Sequence, residues 1–250
     1  MGIAYSPKIP KDLKFYFDIN NPKCIADPGN TTIVAGGTTQ LNCLVSDLKL
    51  NAYDNTNNNM TFVQDNGSWC YNQVSTNGGE PGWYGTPNIQ RVDNYTFISW
   101  YKYQPGASYQ RADNIYGGGF NGKTSFYLSP GGTNNSHGVL RYSDAGSTNA
   151  YSLTSGYGGN NGEWHMFAAT DSGGDGNHTT TFYIDGVLKG NVTSNASHNT
   201  PDNVEQVTWG SWSITYGNFG GKANCYMYYE RALSSTEIMD IYLAMKGRFE

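Results

Sequence analysis

The sequence predicts an all-β protein, an antiparallel two-sheet β-sandwich with one short C-terminal helix. Three observations carry this prediction. Short strand-like runs recur from Leu13 to Tyr229, separated by turns rich in Gly, Asn and Asp. Aromatic residues are abundant, with 20 Tyr, 10 Phe and 6 Trp, while charged residues make only 14% of the chain, the reverse of a disordered composition. One segment alone, near the C-terminus, has helical periodicity and a cap.

Residues 1–12, with Pro7 and Pro10, read as an extended N-terminal arm, and 13–250 as one sandwich domain. Leu13–Asp18 is the first strand and ends before Asn20-Asn21-Pro22. Between Ile25 and Asn59 the pattern is weak, with strand-like pieces at Thr31–Val34 and Leu41–Val45. Met60–Gln64 and Ser68–Gln73 flank Asp65-Asn66-Gly67, a hairpin turn signal. Residues 76–91, with Gly78-Gly79, Pro81-Gly82 and Gly85, read as a loop. Strands follow at Tyr95–Tyr103, Thr124–Ser129, Val139–Ser143 and Trp164–Thr170. Thr180–Ile184 and Val187–Lys189 flank Asp185-Gly186, a pair suited to two successive positive φ angles. Val204–Gly210 and Lys222–Tyr229 complete the series, and the first and last strands are expected to pair. The helix is predicted over 234–246. Ser234 and Glu237 form a capping box, Ile238, Ile241, Tyr242 and Met245 give one apolar face, and Gly247 suggests a left-handed C-terminal cap.

At 250 residues the chain is long enough for one large sandwich core. The net charge of −5 and the lack of any Lys/Arg run argue against nucleic acid as a partner. No apolar run is long enough to span a membrane. Met1 to Pro10 carries no apolar signal core, so export by that route is not expected. Cys24, Cys43, Cys70 and Cys225 are widely spaced and are expected to be reduced thiols rather than zinc ligands. Triplets such as Asn94-Tyr95-Thr96 and Asn191-Val192-Thr193 follow from the abundance of Asn, Ser and Thr.

Three stretches carry a resemblance. Glu163–Thr170 contains Trp164-His165, Thr181–Gly190 contains the Asp185-Gly186 hairpin, and Tyr229–Ile238 contains Arg231-Ala232-Leu233-Ser234 followed by Glu237-Ile238. In this order and spacing they resemble the laminin G-like (jelly-roll) group of the concanavalin A-like lectin/glucanase superfamily, over about 95–249. The opening, with Gly2-Ile3, Pro7-Lys8, Phe15–Asp18 and Asn21-Pro22-Lys23, is similar to laminin G-like virion proteins of tailed bacteriophages. Cys24–Asn59 departs from that pattern and has no Trp. The resemblance implies a non-catalytic binding or structural module on a virion surface, either a capsid decoration or a fibre-associated protein. Its partners would be other virion proteins, host surface glycans or further copies of itself. The alternatives are a free carbohydrate-binding lectin and a glycosidase of the same superfamily.

Glucanases of this superfamily place their carboxylates at alternate positions of one strand in an E-x-D-x-x-E motif. Glu163, Glu205, Glu230 and Glu237 do not form it, so no catalytic residue is assigned. His165 and Arg231 are expected to be structural, each with a hydrogen-bonding partner. Aromatic-glycine segments give the carbohydrate-binding candidates Trp83, Tyr84, Tyr116 and Tyr157, because an exposed ring can stack on a sugar while Asn and Asp bind hydroxyls. The laminin G-like resemblance also raises a calcium site. Asp171 and Asp175, in the Gly-rich stretch 171–177 expected to be a loop, are its candidate ligands.

Overall fold

The computed structural model describes residues 12–34, 38–53, 60–74, 82–85, 89–90, 92, 94–104, 114–116, 125–129, 139–143, 161–174, 177–194, 203–204, 206–210 and 220–250. The strands through the first half are β1 (Leu13–Asp18), β2 (Gln40–Asn42), β3 (Lys49–Tyr53), β4 (Met60–Asp65), β5 (Ser68–Gln73), β6 (Gly82–Gly85), β7 (Ile89–Gln90) and β8 (Tyr95–Tyr103). Then come β9 (Asn114–Tyr116), β10 (Ser125–Ser129), β11 (Val139–Ser143), β12 (Trp164–Gly174), β13 (Asn177–Ile184) and β14 (Val187–Ser194). Last are β15 (Asn203–Val204), β16 (Gln206–Trp209), β17 (Gly221–Tyr229) and the helix α1 (Ser235–Met245).

The strands form two antiparallel sheets and one small ribbon. The eight-stranded sheet runs β14-β13-β12-β8-β17-β5-β4, with β1 also paired to β17. The seven-stranded sheet runs β11-β10-β9-β16-β6-β3-β2, and β15 pairs with β7. β17 pairs with β8 along one side and, on the other, with β5 through 221–223 and with β1 through 225–229. The first and last strands therefore meet near the middle of the sheet, as expected, and tie the two halves of the sequence together.

Period-2 alternation sorts the side chains of the eight-stranded sheet onto two faces. Its inner face supplies Phe15, Phe17, Tyr71, Tyr101, Phe167 and Phe182 to the core. Against them pack Leu41, Leu50, Ala52, Trp83, Val207 and Trp209 of the facing sheet. The outer face of the same sheet carries Ile98, Trp100, Met166, Met227 and Tyr229, which join a second cluster with Ile238, Ile241 and Met245 of α1. This double burial leaves β8 and β17 buried along almost their whole length, whereas a strand with one wet face would alternate between buried and exposed residues.

The cap of α1 is the one expected: Glu237 N donates to Ser234 Oγ, and Ser234 N donates back to Glu237 Oε2. The C-terminus differs. Lys246 is right-handed, the chain continues as a 3-10 turn over Lys246–Arg248, and Gly247 makes no left-handed cap. The reason is tertiary. Phe249 is drawn inward and stacks on Trp100 with 4.3 Å between ring centroids, beside Trp164 at 4.8 Å.

Other differences lie in the polar, Gly-rich segments. Thr31–Val34 is not a strand, Leu41–Val45 shortens to β2, and β3 was not expected. Within the expected loop 76–91 lie β6 and β7, because a strand buried in the sheet centre tolerates glycine where backbones approach closely. A Cβ on Gly85 would come within 2.4 Å of Lys49 O. The predicted arm lies outside the described residues except for residue 12. The hairpin turns are confirmed in detail, with φ of 50° and 76° at Asn66-Gly67 and 54° and 76° at Asp185-Gly186. The four cysteines are free thiols, and burial pushes those of Cys24 and Cys70 up to about 12.

Candidate functional site

The aromatic candidates separate. Trp83 and Tyr84 are adjacent on β6, so pleating sends them to opposite faces. Trp83 is 0% exposed, with its ring 6.2 Å from that of Tyr71 and 6.0 Å from that of Phe62. It is a core residue and offers no platform to a sugar, which corrects the expectation of a solvent-facing ring. The apparent loop motif was a central strand, and its tryptophan filled the sandwich. Tyr84 lies half-buried on the opposite face. Tyr116 ends β9 opposite Gln206. Tyr157 lies outside the described residues.

Of the two calcium candidates, only Asp171 lies among the described residues. Asp171 is in β12 rather than in a loop, because the β12–β13 pairing continues through Asp171↔Thr180 to Gly174↔Asn177. Its carboxylate is fully buried, and Oδ2 accepts the Thr180 hydroxyl at 2.7 Å. Calcium takes six to eight oxygen ligands. Among the described residues no group of three or more His, Cys, Asp or Glu side chains is placed to hold a metal ion. Asp175 lies outside them. The residues described do not fit calcium.

His165 and Arg231 take the structural roles expected. His165 donates Nδ1–H to Asp185 Oδ2 at 2.7 Å, and its Nε2 lies 2.9 Å from Asn161 Oδ1. Asp185 Oδ1 accepts Met166 N–H, so this carboxylate locks the tight turn against β12. Arg231 forms a two-point pair with Glu237, at 3.1 and 2.7 Å, joining β17 to the helix start. That guanidinium, with help from Ser234, holds Glu237 down at about 2.

Other carboxylates are equally committed. Asp18 is buried and accepts both Nη1 and Nη2 of Arg248, at 3.1 and 2.7 Å, together with Tyr16 OH and Asn20 N. Asp65 pairs with Lys222 and Lys102. Partial burial would raise it, but the two ammonium groups bring it below the ordinary value.

The two outer faces of the sandwich differ. That of the eight-stranded sheet is covered by α1 and Phe249. That of the seven-stranded sheet carries Gln40, Lys49, Asn51 and Tyr84 as partly exposed residues, with Gln40 Nε2 donating to Asn51 Oδ1 at 2.7 Å. Sequence reasoning missed Gln40 and Asn51. The available signal was the alternation of Leu50 and Ala52 with Lys49 and Asn51.

The model of the concanavalin A-like lectin/glucanases superfamily, laminin G type, matches residues 82–239, well over half of the chain. The chain belongs to this superfamily. Among curated proteins, none matches by sequence. Solved structures share the fold at low identity. A Trypanosoma rangeli sialidase in complex with the inhibitor DANA has a TM-score of 0.64 at 13% identity, over 97% of this chain and 34% of the sialidase. This chain therefore spans about a third of that enzyme. Domain 4 of an extracellular arabinanase from Geobacillus stearothermophilus, in complex with arabinotriose, has a TM-score of 0.58 at 15% identity, over 92% of this chain and 98% of that domain. The binding domain of Paraclostridial Mosquitocidal Protein 1 has a TM-score of 0.59 at 12% identity, over 92% and 52%.

Proposed function

We propose that this chain is a non-catalytic glycan-binding sandwich. The observation that carries the non-catalytic part is the commitment of five carboxylates among the described residues. A glycosidase needs one carboxyl group free to deliver a proton and another free to attack or to activate water. Here Asp18, Asp65, Asp185 and Glu237 are each held by a cationic partner or His165, and buried Asp171 accepts the Thr180 hydroxyl. Membership of a lectin/glucanase superfamily supports the glycan part, as does the likeness to an arabinanase domain crystallised with arabinotriose and to a toxin's binding domain. The test is a glycan array run beside a broad polysaccharide hydrolysis screen. Binding without released sugar is the expected result, and released sugar would overturn it.

The setting we propose is the surface of a tailed-bacteriophage virion, as a capsid decoration or fibre-associated module contacting other virion proteins. The opening residues Gly2-Ile3, Pro7-Lys8 and Phe15–Asp18 favour it by their similarity to such proteins. Mass spectrometry of purified particles decides, and absence of the chain from virions removes this setting.

A further inference from the structure

We propose that the outer face of the eight-stranded sheet holds a sulfate or phosphate group between Lys102 and Lys222, a site independent of the glycan-binding reading. Pleating puts both lysines on that face. Tyr101 and Tyr103 flank Lys102 and are buried in the inner core, as is Ala223 beside Lys222. Lys102 and Lys222 stand directly opposite one another across the β8–β17 pair. Like charges so placed repel, and one carboxylate offsets this. Asp65 Oδ2 accepts the ammonium of Lys222 in close contact and has that of Lys102 at 3.5 Å. Both ammonium groups reach the same oxygen, so one small oxyanion can bridge them. The side chains of Lys102 and Lys222 are 26% and 31% exposed, and that of Asp65 only 9%. An incoming anion therefore meets the ammonium groups rather than the carboxylate.

Charge and hydrogen-bonding capacity both exceed what Asp65 supplies. Two ammonium groups and one carboxylate leave +1, and the buried Asp18–Arg248 pair on the same face is neutral. The net charge of −5 is spread over the whole chain, and salt at 0.1 M screens exposed charges beyond about 10 Å, whereas a partly buried contact is screened much less. Each ammonium carries three N–H donors. Lys102 lies 3.5 Å from either oxygen of Asp65, at the outer limit of a hydrogen bond, so its donors are poorly used. Among the described residues neither ammonium has another acceptor. Register extends the set of donors: Asn72 stands opposite Lys222 and Thr61 opposite Asn72, both on the outer face. A carboxylate would bring two oxygens in one plane. A sulfate or phosphate group brings at least three, directed to different sides, and so matches two ammonium groups with an amide beside them.

The test is titration calorimetry on the whole chain, at constant ionic strength, with sodium sulfate, sodium phosphate and sodium acetate. Sulfate and phosphate should each bind saturably, one ion per chain, and acetate more weakly. Lys102→Gln should weaken sulfate binding about tenfold, the worth of one charge-assisted hydrogen bond. Asp65→Asn should tighten it, because two ammonium groups without a carboxylate leave +2; lysines serving only as salt-bridge partners would gain nothing from that change. Lys14→Gln, at the exposed pair with Glu230, should leave binding as it is. Lys102→Gln removes only the long contact to Asp65 and keeps the test decisive if Asp65→Asn fails to fold. A sulfated disaccharide beside its unsulfated parent separates the two sources of the group: sulfated sugar binding tighter than free sulfate makes it glycan-borne, and binding no tighter makes it the free ion. The absence of saturable binding of sulfate and phosphate overturns the site, as does unchanged affinity in Lys102→Gln. Acetate binding as tightly as sulfate overturns the tetrahedral assignment. A glycan array without any bound glycan would remove the glycan-binding reading and leave this site standing.

Discussion

Trp83 and Tyr84 are neighbours in sequence with opposite destinations, and substitutions separate their roles. Trp83→Ala empties a fully buried site between Tyr71 and Phe62 and should cost about 3–5 kcal/mol, read by urea denaturation. An unchanged denaturation midpoint would contradict the burial. Glu237 gives a pH prediction. The Arg231 guanidinium holds its folded carboxyl at about 2 against an ordinary 4.5. A depressed carboxylate stabilises the fold fully above the unfolded value, and that contribution is lost as pH falls from about 4.5 toward 2. Glu237→Gln should therefore flatten the acid limb of the stability profile in this window. A profile identical to the parent's would show that the pair adds nothing to stability.

At the scale of elements, α1 behaves as the lid of a second core. Ile241 is 0% exposed, and Ile241→Ala should lower stability by about 2–5 kcal/mol. Ser234→Ala removes the side-chain cap and should cost about 1 kcal/mol. Thermal melting with both variants checks the pair, and a helix that served only as a binding handle would leave the Ile241→Ala midpoint unchanged. Gly186 shows how closely the elements fit. It turns β13 into β14 at φ 76°, and a Cβ there would lie 2.8 Å from the Met239 sulfur. The Asp185-Gly186 turn thus sits directly against the helix, and the sequence motif that marks the hairpin also marks its docking point.

At the scale of the molecule, the two ends of the described chain are clasped together. Asp18 ends β1, Arg248 follows α1, and their paired hydrogen bonds span 230 positions of sequence. Asn224 accepts a further bond from Arg248, while Asn66 and Ser68 donate to the carbonyls of Phe249 and Arg248. Arg248→Ala leaves the Asp18 carboxylate buried without its cation and should destabilise by about 3–5 kcal/mol, measured by chemical denaturation. Asp18→Asn with Arg248→Met should recover part of the loss, because the buried charge is then removed altogether. A double variant no better than Arg248→Ala would rule out uncompensated charge as the cause.

Much of this was local enough to read from sequence. The aromatic, strand-forming run Tyr95–Tyr103, the Asn-Gly and Asp-Gly turns and the Ser234–Glu237 capping box are short-range patterns, fixed by strand propensity, positive φ and unpaired helix amides. They determined a two-sheet sandwich with a capped terminal helix. The spaced Trp164-His165, Asp185-Gly186 and Arg231–Glu237 stretches pointed to the superfamily. What sequence left undecided depended on which strand lay beside which. Trp83 read as a loop platform until β3 and β16 closed over its strand, and Asp171 read as a loop ligand until the β12–β13 pairing ran past it. Gln40 and Asn51, 11 residues apart, became partners only through register. The polar face made by Gln40, Lys49, Asn51 and Tyr84 gathers residues from three segments, and no local rule carries that assembly. Cross-strand pairing is a long-range choice made by burying the other face, so only the tertiary structure decided it.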